Sequence, residues 1–119
     1  MNPHGHAQRV PDQHVQRCMP GLVVRSKLWL ERDEHFAIGE GGIDLLRSVA
    51  TTGTLTAAAK HVGWSYRHAW GYMRRAERVL GQPLLEIRSG KGAARGAAVT
   101  SEGTQLIQMF EELRLENQR

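Results

Sequence analysis

From Trp64 to Arg78 the sequence reads WSYRHAWGYMRRAER, four aromatic rings and four arginines in fifteen positions with one glycine among them. Two chemistries suit that mixture. Guanidinium groups hydrogen-bond in pairs to phosphate oxygens or to the O6 and N7 of guanine, whereas rings either fill a core or stack on a flat partner. Which of these a side chain performs depends on the face it occupies. On a helix turning 100° per residue from Tyr66, residues Ala69, Met73, Ala76 and Leu80 fall within an arc of roughly 280° to 340°. Arg67, Gly71, Arg74 and Arg78 gather at roughly 80° to 140°, with His68 and Arg75 on the flank. The spacing predicts one face for a core and one for a polyanion.

Gly71 lies on the basic side, where glycine costs a helix about 1 kcal/mol relative to alanine. Close approach of the backbone to a partner is one reason to keep it, since a helix without a Cβ there sits deeper in a major groove roughly 12 Å wide. Neutral drift on a solvent face is the other. Trp64, in the turn before the helix, and Trp70, at about 40°, are expected to pack against the domain. Ser65, Tyr66 and His68, at the first turn, are placed to meet a DNA backbone or a base edge. Arg67 is the candidate for base readout. Arg74, Arg75, Lys91 and Arg95 are candidates for phosphate contact, and Arg88 opens the same basic loop.

Charge supports a localised footprint. The 119 residues carry a formal +4, but Lys60 to Gly96 holds eight basic residues against two acidic ones, a net +6, so the remainder is −2. A concentrated excess marks a contact surface more than a diffuse one does. The length suits one domain. The single cysteine, Cys18, cannot form an internal disulfide. No run of 18 apolar residues and no apolar leader segment is present, which points to a cytoplasmic protein that does not enter a membrane.

The flanking segments must supply the scaffold. Residues 1–21 contain three of the six histidines and three of the four prolines without apolar periodicity, and read as a flexible arm. A domain over 22–119 follows. VVRSKLWLE and FAIG predict a hairpin turning near Asp33 to His35. Ile43, Leu46 and Ala50, joined by Leu45 and Val49, predict a first helix closed by Thr52-Gly53. Thr54 caps a second, with Leu55, Ala58, Ala59 and Val62 on one face and Gly63 as terminator. Ser65 caps the third, which ends before Gly81 and Pro83. LLEI and the AV before Thr100 predict paired strands around the basic loop 88–98. Thr100 then caps a last helix with Leu106, Met109, Phe110 and Leu113 on one stripe. Ile107 and Leu115, left outside it, suggest a second apolar surface. The expected fold is mainly α with small β, a winged helix-turn-helix with an N-terminal hairpin and a C-terminal helix.

Enzymatic chemistry finds little support. Ser-Gly-Lys-Gly at 89–92 lacks the earlier glycine and the following hydroxyl of a phosphate-binding loop. His61 and His68 have no partner at ligand spacing, and His4-Gly-His6 is an incomplete metal set. No cofactor is expected. The competing reading is a winged-helix module that binds an acidic protein and not DNA.

KLWLE at 27–31, IGEGGIDLLRSVATTGTLTAAAKHVGWSYRHAW at 38–70, LGQPLLE at 80–86 and VTSEGTQLI at 99–107 resemble the DNA-binding domain of the ModE-type, molybdate-responsive bacterial regulators, relatives of the LysR-type winged helices. The resemblance covers residues 25 to about 110. It implies a transcriptional regulator of molybdate-related or similar metabolic genes that binds double-stranded DNA as a homodimer through its first and last helices. The recognition helix would begin at Ser65, Tyr66 and Arg67, and the wing would span 88–98. Two departures stand out. The wing reads SGKGAARGAA in place of a glycine-dominated run, and the chain stops before the oxyanion-binding portion, so it resembles a stand-alone form to which no molybdate site can be assigned.

Overall fold

A computed structural model describes residues 17–23, 25–88 and 96–118. The first regular element is a hairpin of β1 (Trp29–Arg32) and β2 (His35–Gly39), paired antiparallel from Trp29 opposite Gly39 to Arg32 opposite His35, with a bulge between Leu30 and Glu31. Asp33 and Glu34 turn it at φ 52° and 67°. Positive φ at both central residues matches the right-handed twist of the strands. The strand begins later than the β-branched run at Val23 suggested. β2 offers only five residues, so β1 has no ladder partner before Trp29. Most of the expected arm, residues 1–16, lies outside the described residues, and 17–21 are exposed.

Three helices follow. Helix α1 (Glu40–Thr52) buries Ile43, Leu45, Leu46 and Val49 and ends at Gly53, φ 80°. Ala50 is exposed, against expectation, because it falls in the last turn at the margin of the buried arc, where a methyl group is too short to reach the core. Helix α2 (Leu55–Val62) starts as its sequence dictates, with the Thr54 hydroxyl accepting the Ala57 amide at 3.0 Å, and ends at Gly63, φ 80°. Three residues later α3 (Tyr66–Leu80) begins, the Ser65 hydroxyl accepting from the His68 amide at 3.0 Å. Each cap satisfies an amide that the helix start leaves without a partner.

Strands β3 (Leu85–Arg88) and β4 (Gly96–Val99) pair antiparallel, Leu85 opposite Val99 and Arg88 opposite Gly96. Thr100 joins them to α4 (Ser101–Gln118). Its hydroxyl donates to the Pro83 carbonyl at 2.6 Å and accepts from the Gly103 amide at 3.0 Å. The amide of Ala97 donates to the Gly53 carbonyl at 2.8 Å, which fastens β4 to the turn between α1 and α2. Ile38, Leu46, Val49, Leu55, Ala69, Met73, Leu84 and Phe110 meet in one core. Among the described side chains of α4, Gly103, Leu106 and Phe110 are buried, while Met109 is 45% and Leu115 60% exposed. Met109 therefore leaves the expected core stripe, because α4 touches the domain along one narrow flank, and Ile107 is the residue that packs on the core instead. The arrangement is a winged helix-turn-helix.

Candidate nucleic-acid interface

The phase of α3 follows its sequence: Ala69, Met73 and Ala76 are buried, while Arg67, Gly71, Arg75 and Arg78 are exposed. Two lateral contacts fix its attitude. Tyr72, half-buried, accepts a 2.9 Å hydrogen bond from the amide of Gly39, and its ring lies edge-on to Phe36 and tilted against Trp64. Burial pushes the Tyr72 hydroxyl above the usual phenol pKa, so the neutral form that holds the amide persists across physiological pH. A Cβ on Gly42 would stand 2.4 Å from the Tyr72 ring and 2.6 Å from Ile38, so glycine there lets α1 and α3 close on each other.

The second contact is Glu77. One carboxylate oxygen pairs with Arg74 at 2.6 Å; the other accepts the amides of Leu84 and Leu85 at 2.7 and 3.1 Å. Its side chain is only 11% exposed. A single acid thereby ties the recognition-type helix to the root of the β3–β4 hairpin. Neither Tyr72 nor Glu77 was singled out from sequence. Glu77 had a signal, an acid three residues after Arg74 in an otherwise basic run, which is the spacing of a helical ion pair. Tyr72 lies at roughly 240° on the helical wheel, about 70° from the middle of the buried arc, and had none beyond that.

The remaining candidates divide. Ser65 is exposed, with its hydroxyl occupied by the cap. Tyr66 is 49% exposed and stacks on Trp70, centroids 6.3 Å and planes 15° apart. His68 is exposed but leans on Trp64, edge to face at 4.4 Å, away from the arginine line. A Cβ on Gly71 would meet nothing within 4 Å. Arg74 is engaged by Glu77 and lies over the Trp70 ring, 4.3 Å from its centroid. The Arg75 guanidinium lies 6.0 Å from the Tyr72 ring. Arg88 is exposed at the end of β3. Lys91 and Arg95 fall outside the described residues. Trp64 packs on the core as expected. Trp70 does not: it is 38% exposed. It lies about 90° from the middle of the buried arc, and among the described residues its ring meets Tyr66 and Arg74 of its own helix.

Residues 42–104 match the bacterial regulatory helix-turn-helix proteins of the lysR family. The chain belongs to that family. Its matched span runs from α1 through the two helices and the β3–β4 hairpin into α4, so the sequence relationship covers the elements described above. Among curated relatives, the molybdenum-pterin-binding protein MopB of Rhodobacter capsulatus is 33% identical over 94 residues, which is 79% of this chain and 32% of MopB. MopA of the same organism is 36% identical over 83 residues, covering 70% of this chain and 31% of MopA. The DNA-binding transcriptional dual regulator ModE of Escherichia coli is 32% identical over 71 residues, 60% of this chain and 27% of ModE. The chain thus spans about a third of the length of these relatives. The crystal structure of ArgP from Mycobacterium tuberculosis aligns with a TM-score of 0.49 and 18% identity, over 66% of this chain and 27% of that one. The lysR-type family is one of regulators and not of enzymes. Among the described residues, no group of three metal-ligating side chains is found and no helix is long and apolar enough to cross a membrane.

Proposed function

We propose that this chain is a transcriptional regulator that binds duplex DNA, with α3 in the major groove and the basic loop 88–98 on the adjoining backbone. One observation carries the reading: α3 buries Ala69, Met73 and Ala76 on one side and shows Arg67, Gly71, Arg75 and Arg78 on the other, with open space at Gly71. Arg67, in the first turn and without an ion-pair partner among the described residues, is the base-reading side chain. Arg75, Arg78, Arg88, Lys91 and Arg95 neutralise phosphates. Arg74, held by Glu77, positions its neighbours. Two copies joined through α1 and α4 would set their recognition helices about one turn of DNA apart. The molybdenum-related names of MopB, MopA and the ModE proteins support a role in molybdenum-linked gene control.

Titration of a preferred duplex against salt tests the charge reading, since each neutralised phosphate adds about 0.9 to the slope of log K against log salt. Replacing Arg67 with alanine should cost about 1–3 kcal/mol on the preferred site and leave binding to random duplex almost unchanged. An equal loss on all sequences would make Arg67 a phosphate contact. Affinity no better than that of a simple polycation would favour an acidic protein partner. Footprints across the genome, taken with and without molybdate in the medium, test the gene class.

A further inference from the structure

Trp70 is a large apolar side chain outside the core, yet its position is tightly determined. Tyr66 stacks on it from the turn before, and the Arg74 guanidinium lies 4.3 Å from its ring centroid from the turn after. Arg74 is itself held by Glu77, whose second oxygen is fixed by two amides at the root of β3. The row Tyr66, Trp70, Arg74, Glu77 therefore runs along one flank of α3 from its first turn to the base of the wing, each member held by the next. None of the four serves the core, and a braced ring has little rotamer freedom left to lose on binding. Arg67 precedes Trp70 by three residues and is its neighbour on the helix surface. The exposed indole is thus the apolar edge of a basic face.

We propose that Trp70, braced by Tyr66 and Arg74, is a specificity-determining residue that reads thymine through its C5-methyl group. Thymine is the one base that presents an apolar group in the major groove, and hydrogen-bonding side chains do not sense it. A helix carrying a guanidinium at 67 and an indole at 70 reads a donor–acceptor pattern and a methyl group side by side. The charges around the ring argue for DNA as the occupant over an apolar peptide. The charged neighbours of Trp70 on the helix include Arg67 and Arg74, and the one acid of α3, Glu77, is consumed by Arg74 and backbone amides. The inference rests on the DNA-binding reading above.

The test uses duplexes recovered by the wild-type chain from a random-sequence library, remade with deoxyuridine in place of thymidine one position at a time. At one thymine per half-site the wild type should bind the uracil duplex about fourfold more weakly, the worth of one methyl group returned to water. Trp70→Ala should bind both duplexes equally, and Trp70→Phe should keep part of the difference. Because Trp70 is outside the core, both variants should melt close to the wild type, which separates lost reading from lost folding. If Trp70→Ala discriminates thymine from uracil as the wild type does, or if no position senses the methyl group, the inference is wrong while DNA binding stands. A wild-type chain that enriches no duplex overturns both readings.

Discussion

Gly71 brings opposing demands onto one residue. In the folded domain nothing asks for glycine there, since a Cβ would enter open space, and a helix interior gains about 1 kcal/mol from alanine. Gly71→Ala should therefore raise the melting temperature by roughly 4–8 °C for a domain of this size. If the backbone of α3 closes on the groove floor, the same substitution should weaken duplex binding about tenfold, or about 1.4 kcal/mol. Thermal denaturation and a binding titration decide together: a variant that is more stable and binds as well as the wild type removes close approach as the reason for Gly71. At this scale the sequence was legible wherever the chemistry is local. Thr54 and Ser65 cap helices because a hydroxyl beside the first turn accepts its amides whatever lies around it. Trp70 was not legible, because its angle, roughly 60° past the edge of the buried arc, is compatible with cover or exposure. Whether such a residue is covered depends on how far the neighbouring elements wrap, and Trp70 stays outside the core cluster.

The helix and the wing meet at Glu77, and this sets a test in which electrostatics and positioning have opposite signs. Glu77→Gln removes an acid from a basic face, so charge alone predicts tighter binding to DNA. The substitution also leaves Arg74 without its pair and replaces one acceptor oxygen by an amide nitrogen, which loosens Trp70 on one side and Leu84 and Leu85 on the other. We expect weaker duplex binding at both low and high salt, with stability lower by about 1–3 kcal/mol as read by urea denaturation. Tighter binding at low salt would show that the link between α3 and β3 does not matter to the interface. The order of elements was readable from turn chemistry, periodicity and caps, down to the αL glycines at 53, 63 and 81. Strand limits were not. β1 waits for Trp29 because pairing requires a partner, and the length of that partner is a property of β2.

For the molecule as a whole, α4 is the helix that both binds the domain and keeps apolar side chains exposed. Arg47 of α1 pairs with Glu111, and Arg114 lies between Glu111 and Glu40, so the first and last helices are pinned by a shared set of charges. Beyond that seam α4 turns Met109 and Leu115 outward, 45% and 60% exposed. The sequence showed that α4 had more apolar residues than one stripe could use. It did not show which ones, because Ile107 found the core and Met109 did not. A second copy covering this surface would explain its composition and would double the basic face presented to a duplex. The double variant Met109→Glu, Leu115→Glu should then sediment as a monomer at concentrations where the wild type is a dimer. It should keep its melting behaviour per chain and lose at least about 100-fold in affinity for a two-half-site duplex, because linked binding of two modules gains roughly that factor or more. Its affinity for a single half-site should stay near that of the wild type. Should both proteins sediment alike and bind the paired site alike, α4 is not the dimer seam, and the exposed methionine and leucine need another partner.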